Sequence, residues 1–277
     1  MMARPAGLPD FQAPPVTEVA FSLQFDVLPR FTAPYIGLLW QKFREALPEI
    51  EEHAPLAEAL ERFGLLQTLG LEVQFEDKPP VPRVWFLNAD KTNLIQVQSN
   101  RFIHNWRKLM TESPYPRYEA ERATFLREAR ILEAFLAEND LGSLRVNQCE
   151  LTYVNHIEPA GGWKTHADAP KVFTVLRPAA EIGFLPERED SGFRLRYVMG
   201  GGEGDPLGRL HAVMNPGWRT VDQLPVFTLS MMARGAPIGT GLEGAFRFFD
   251  IGREWIVKRF AELTTKEMHH VWGRIDS

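Results

Sequence analysis

Leu144-Arg145-Val146-Asn147-Gln148-Cys149-Glu150-Leu151-Thr152-Tyr153-Val154-Asn155-His156-Ile157 is the most regular stretch of the chain. Cys149, Leu151, Tyr153 and Ile157 share one parity; Gln148, Glu150, Thr152 and His156 share the other. Successive side chains of a strand point to opposite faces, so this pattern predicts a sheet with one dry face and one wet or functional face. Cys149 falls with Leu151 and Tyr153, which makes it a core thiol before a nucleophile.

Working outward from this strand, Phe193 to Met199, Arg209 to Met214 and Val226 to Ala233 read as further strands separated by turns. The glycine-rich run 200–204 leads through Pro206 into a strand, not into a helix N-terminus, which argues against a phosphate loop. A long helix closes the chain. Thr240 and Glu243 have capping-box spacing, and Leu242, Phe246, Phe249, Ile256, Phe260 and Leu263 recur at helical steps. Thr264 and Glu267 repeat the box, so the helix restarts or continues to Trp272. Phe248 and Trp255 lie beside the main stripe and are candidates for a dimer contact or a pocket lining.

Upstream the pattern echoes. Val16 to Phe25 alternates as a strand, and Thr32 to Leu47 follows helical spacing with Pro34 in the first turn. Glu49 to Leu60 is acidic and ambiguous, with a short helix after Pro55 one option. Leu71 to Phe75, Arg83 to Leu87, Asn93 to Gln98 and Arg101 to Lys108 read as strands, the last two as a tight hairpin about Ser99-Asn100. A helix follows over 119–139. The class is α+β: a largely antiparallel sheet from two loosely similar halves, with helices on one face and the long helix last. Residues 1–13 read as a disordered lead, 14–142 as an N-terminal half and 143–277 as a C-terminal half of one compact unit.

Bulk properties narrow the function. The chain has 277 residues, a net charge of −5, 44% hydrophobic residues and one cysteine. A phosphate-gripping protein is usually basic, so nucleic acid is disfavoured without being excluded. A lone thiol and the lack of an apolar run long enough for a leader or a membrane span point to the cytoplasm and to no membrane partner. No Gly-x-Ser-x-Gly elbow or spaced histidine pair occurs, and no cofactor or metal is implied.

The polar residues then divide into two candidate sites. Gln96, Gln98, Arg101, His104, Trp106, Arg107 and Lys108 lie on the 93–108 hairpin. Arginine and tryptophan among amides suit a recognition surface, and an aromatic among basic residues can also stack bases. The bland alternative is a hairpin whose long polar side chains cover a wet face. Glu150, His156, Arg194 and Arg196 form the second set: if their faces line a cleft under the C-terminal helix, Glu150 and His156 could carry acid–base work and the arginines could orient a ligand. The favoured reading is a non-enzymatic protein that recognises a protein or peptide partner through a polar sheet face, with a homodimer as a further partner option. A small-molecule binder or enzyme comes second, and a single-strand nucleic-acid binder third.

Pro14-Pro15-Val16-Thr17-Glu18-Val19, Leu94 to Gln98, Arg101-Phe102-Ile103-His104-Asn105-Trp106-Arg107-Lys108, Tyr115-Pro116-Arg117-Tyr118-Glu119 and Glu150 to Asn155 together resemble a sporadically distributed family of uncharacterised bacterial proteins of about 270 residues. The resemblance runs over nearly the whole chain. It implies a bacterial cytoplasmic protein and transfers no catalytic residue.

Overall fold

The computed structural model describes residues 7–64, 81–109, 114–176, 188–200 and 204–275. The strand expected over 71–75 lies outside them, as do residues 201–203 of the glycine run. In chain order the elements are β1 (Asp10–Phe11), β2 (Val16–Phe25), α1 (Ala33–Trp40), β3 (Glu49–His53), β4 (Arg83–Leu87), β5 (Asn93–Gln98), β6 (Arg101–Arg107), α2 (Tyr118–Glu138), β7 (Val146–Ile157), α3 (Ala169–Val172), β8 (Phe193–Met199), β9 (Gly208–Trp218), β10 (Pro225–Gly235), α4 (Gly241–Leu263), α5 (Lys266–Val271) and β11 (Arg274–Ile275).

Nine strands form one antiparallel sheet in the order β3-β4-β5-β6-β2-β7-β10-β9-β8. The order explains the echo between halves. Each half puts its first strand, β2 or β7, at the centre of the sheet. The strands that follow start at an edge, β3 or β8, and meander inward until β6 meets β2 and β10 meets β7. Each half then ends on its helix, α2 or α4, and α2 packs on β6 while α4 crosses β7, β9 and β10.

The helices cover one face. Val19, Phe21, Leu23 and Phe25 of β2 point into it with Cys149, Leu151 and Tyr153 of β7, and all are buried. Phe21, Phe125, Phe246 and Phe249 form a continuous aromatic cluster across β2, α2 and α4. Phe248 is fully buried as well, which removes it as a dimer contact or pocket lining. Its ring fills the space over the paired strands β9 and β10: a Cβ on Gly235 would come within 2.4 Å of the ring and 2.3 Å of the Leu207 carbonyl.

Four local expectations need correction. Residues 7–13 of the lead are ordered: Leu8 and Phe11 are buried, β1 pairs with β11, and Phe11 packs edge-on against Phe260 and Trp272. The first helix stops at Trp40 and continues as turns, one of which the Trp40 indole closes by donating to the Leu47 carbonyl at 2.9 Å. Thr240 makes no side-chain cap, whereas the restart is real and begins at Thr265, whose hydroxyl accepts from the Met268 N–H. Glu49–His53, ambiguous in sequence, is the edge strand β3, and among the described residues 54–64 no helix forms after Pro55.

Candidate functional site

Strand parity and register decide which polar residues meet. Gln24 pairs with Arg101 and Gln148, Gln98 with Arg101, and Glu150 with Arg234. Residues directly opposite in a ladder project to the same face. Gln98, Arg101, Gln24, Gln148, Glu150 and Arg234 therefore stand together on the face away from the helices. Most of this polar face is buried: Gln24, Gln96, Gln98, Arg101, Asn105, Gln148 and Glu150 have almost no exposure.

What buries its centre is the chain itself. Residues 54–62 form no helix or strand and run across the strands. Gln98 accepts from the Leu56 N–H at 2.9 Å and donates back to the Leu56 carbonyl at 3.0 Å. Arg101 donates to the Ala57 carbonyl at 3.2 Å, and Asn100 donates to the Glu58 carboxylate at 3.2 Å. Gln24 accepts from the Ala59 N–H at 2.9 Å and Gln148 from the Glu61 N–H at 2.8 Å. The segment thus steps from β5 over β6 and β2 to β7. An extended chain advances about 3.3 Å per residue and strands lie about 4.8 Å apart, so a perpendicular chain meets a new strand every one to two residues. The observed contacts keep that rhythm.

The far end of this strap is ionic. The Glu61 carboxylate, with its side chain 2% exposed, pairs with Arg209 and lies 2.9 Å from His211 Nε2. Burial first, then Arg234, Arg209, Arg196 and Arg194, hold His211 down to about 4. The same Glu61 carboxylate thus joins Arg209 and the His211 ring. The Arg209 guanidinium also covers the Phe63 ring at 4.7 Å.

The hairpin residues divide between the two faces. Gln98 and Arg101 hold the strap. Gln96 lies on the same face in a neighbouring network, donating to Asn105 at 2.7 Å and accepting from Arg83 at 2.9 Å. Arg107 is also there, over the Trp85 ring and donating to the Lys91 carbonyl. Lys108 follows the end of β6, half-buried. His104 and Trp106 have the other parity. Trp106 is 5% exposed and packs on Tyr115, so it offers no ring to a base or a partner. His104 is sealed under α2 with each ring nitrogen 2.8 Å from a carboxylate, Glu121 on one side and Glu128 on the other. Burial opposes its charge, but Glu128 and Glu121 outweigh it and raise the imidazole to about 10.

The second set does not form a catalytic group. Glu150 and His156 share a face but stand six residues apart on β7, about 20 Å in an extended strand. Glu150 is held by Arg234 at 3.1 Å and Arg101 at 3.7 Å. Arg194 and Arg196 lie exposed on the edge strand β8, on the face away from the C-terminal helix. Cys149 is buried and its thiol is pushed up by burial and by Glu150, which leaves it no nucleophilic role. Among the described residues no cluster of three or more histidine, cysteine, aspartate or glutamate side chains is placed to hold a metal, and no helix is long and apolar enough to cross a membrane.

No protein-family model matches this chain, and no curated protein or solved structure matches it either.

The strap itself was missed in the sequence reading. The signal available was its composition: an acidic stretch with Pro55 and no helical or strand period, placed between the predicted helix over 32–47 and strands rich in glutamine and arginine.

Proposed function

We propose that this protein binds an extended, acidic segment of a partner protein across its polar sheet face, and that residues 54–64 are a built-in occupant of that site. The observation that carries the reading is the row of glutamines. Gln98, Gln24 and Gln148, from three different strands, take the backbone N–H groups of Leu56, Ala59 and Glu61. Side-chain amides that read main chain hold an extended peptide with little regard to its sequence, and a cationic end then selects the charge. Arg209, Arg234, Arg194 and Arg196 crowd the end where Glu61 docks, which favours a carboxylate at that position. The inward positions 56, 59 and 61 are small or aliphatic until the glutamate, so the partner segment carries the pattern aliphatic-x-x-small-x-acidic.

A partner competes with the strap, so its apparent affinity is reduced by the fraction of molecules with the strap released. The test uses a fluorescent synthetic peptide of residues 53–64 added to the whole protein. Ala59→Pro removes one captured N–H and Glu61→Ala removes the ionic anchor; the double variant is expected to bind the peptide at least about tenfold more tightly than the native chain. Gln98→Ala with Gln148→Ala, on the receptor side, is expected to lose that gain. Equal, weak binding by all variants that keep their circular dichroism would overturn the reading. A strap-released variant that dimerises without peptide would replace the partner by a second copy of this chain.

A further inference from the structure

On the opposite face, where α4 overlies the sheet, a cavity of about 270 Å³ lies between that helix, the N-terminal segment and the loop before α2. Its walls divide by chemistry. Ile256, Val257 and Phe260 of α4, with Phe11, give it an apolar lining. Tyr115, Tyr153 and Asn155 give it a polar one. It also holds two matched ion pairs, Arg253 with Glu119 at 2.9 Å and Arg117 with Asp10 at 3.0 Å. We infer that this cavity is a binding site for a small uncharged molecule with an apolar, ring-sized body and one hydroxyl or amide head.

The head group follows from proton counting. The Tyr115 and Tyr153 hydroxyls are 3.0 Å apart, and one donates to the other. Burial pushes both phenols up, so each keeps its proton, and the accepting hydroxyl has an O–H left for a guest. Asn155 donates one Nδ2 hydrogen to the Leu229 carbonyl at 3.1 Å, which leaves its second N–H and its Oδ1. Donors and an acceptor together suit a hydroxyl or a primary amide, each of which can both donate and accept. The charge follows from pairing. Each arginine already has its carboxylate, and the deeper pair, Arg253 with Glu119, is 7% and 19% exposed, so an ionised guest beside it would bring an unmatched charge out of water, which is costly. The body follows from the apolar lining and from the volume, just below the usual range for ligand pockets. Only the ordering of the lead creates the site, because Phe11 and Asp10 supply one wall.

Benzamide is the probe, with benzoate and benzylamine as its charged counterparts, each titrated into the whole protein and followed by saturation-transfer NMR. Benzamide is expected to saturate, and the two ions to bind at least about tenfold more weakly, the loss expected for an unmatched charge. Tyr153→Phe is expected to weaken benzamide about tenfold, the effect of one lost hydrogen bond. Val257→Trp fills the cavity from its apolar lining and is expected to abolish binding; Gln98→Ala, on the strapped face, is expected to leave it unchanged. Benzoate or benzylamine binding as well as benzamide would overturn the assigned class. Absence of benzamide saturation up to about 10 mM, weak even for so small a probe, would overturn the site. So would unchanged binding in folded Val257→Trp, or in Tyr153→Phe should the tryptophan variant not fold.

Discussion

The two faces of the sheet are made by alternate residues of the same strands, and they are closed in different ways. Phe102 and His104 of β6 face α2; Arg101 and Asn105, their neighbours, face the other way. The helix side is sealed by large apolar side chains that interlock. The strap side is sealed by amide hydrogen bonds, arginines and glutamates. Apolar burial has no ready substitute in water, whereas a hydrogen bond to a strap exchanges for one to water or to another peptide at a net difference of only about 1 kcal/mol. The comparison teaches that one side holds the fold and the other side is replaceable.

That contrast breaks if mutations on the two faces have similar effects. Phe249→Ala removes a buried ring in contact with Phe21, Phe125 and Phe246, and is expected to cost about 3–5 kcal/mol in urea unfolding. A loss below about 1 kcal/mol would mean the helix side is not the rigid one.

His104 is the polar exception within the apolar side, and it sharpens the comparison through pH. Its folded value, about 10, lies above the unfolded 6.5. The native state therefore holds the proton more tightly. The stability this supplies is complete below about pH 6.5 and falls as pH rises toward 10. A downward slope of global stability across that window is expected in the native chain and should be absent from His104→Gln. A flat native profile would show that the buried imidazole is neutral despite its two carboxylates.

On the strap side, Gln98→Ala removes both hydrogen bonds to Leu56 and is expected to cost about 1–2 kcal/mol, read locally. Amide exchange at Leu56 and Ala59 should accelerate by about ten- to thirtyfold while β7 amides keep their protection. Acceleration throughout β7 would join the strap to the global unfolding unit. The smallest effects separate two threonines that look alike in sequence. Thr240→Ala should change stability by less than about 0.5 kcal/mol because no cap bond forms there. Thr265→Ala should cost about 1 kcal/mol, because its hydroxyl accepts from Met268 and donates to the Lys171 carbonyl at 2.7 Å.

The candidate site was only half legible. Glu150 was picked out by parity and Gln98 and Arg101 by residue type, and parity separates these two from His104 and Trp106. Assigning the whole hairpin to one surface ignored the alternation that had been used correctly for Cys149 and Leu151. A histidine and a tryptophan look like surface residues until α2 places Glu121 and Glu128, seven residues and two turns apart, over the imidazole. The strap left no periodic trace. Its bonds join residues 42, 35, 87 and 150 positions apart through side chains.

By itself the sequence determined most strands of the large sheet, the main helices and the dry face of β7, because the pleat and the helical turn impose periods of 2 and 3.6 on neighbouring residues. The class, an antiparallel sheet with helices on one side, follows from those periods and their order. Only the tertiary structure decided the strand order, the ordering of the lead against α4, the burial of His104 and the closure of the polar face by residues 54–62. Each of these depends on contacts between segments distant in the chain, made by side-chain hydrogen bonds and ion pairs that need no repeat to form.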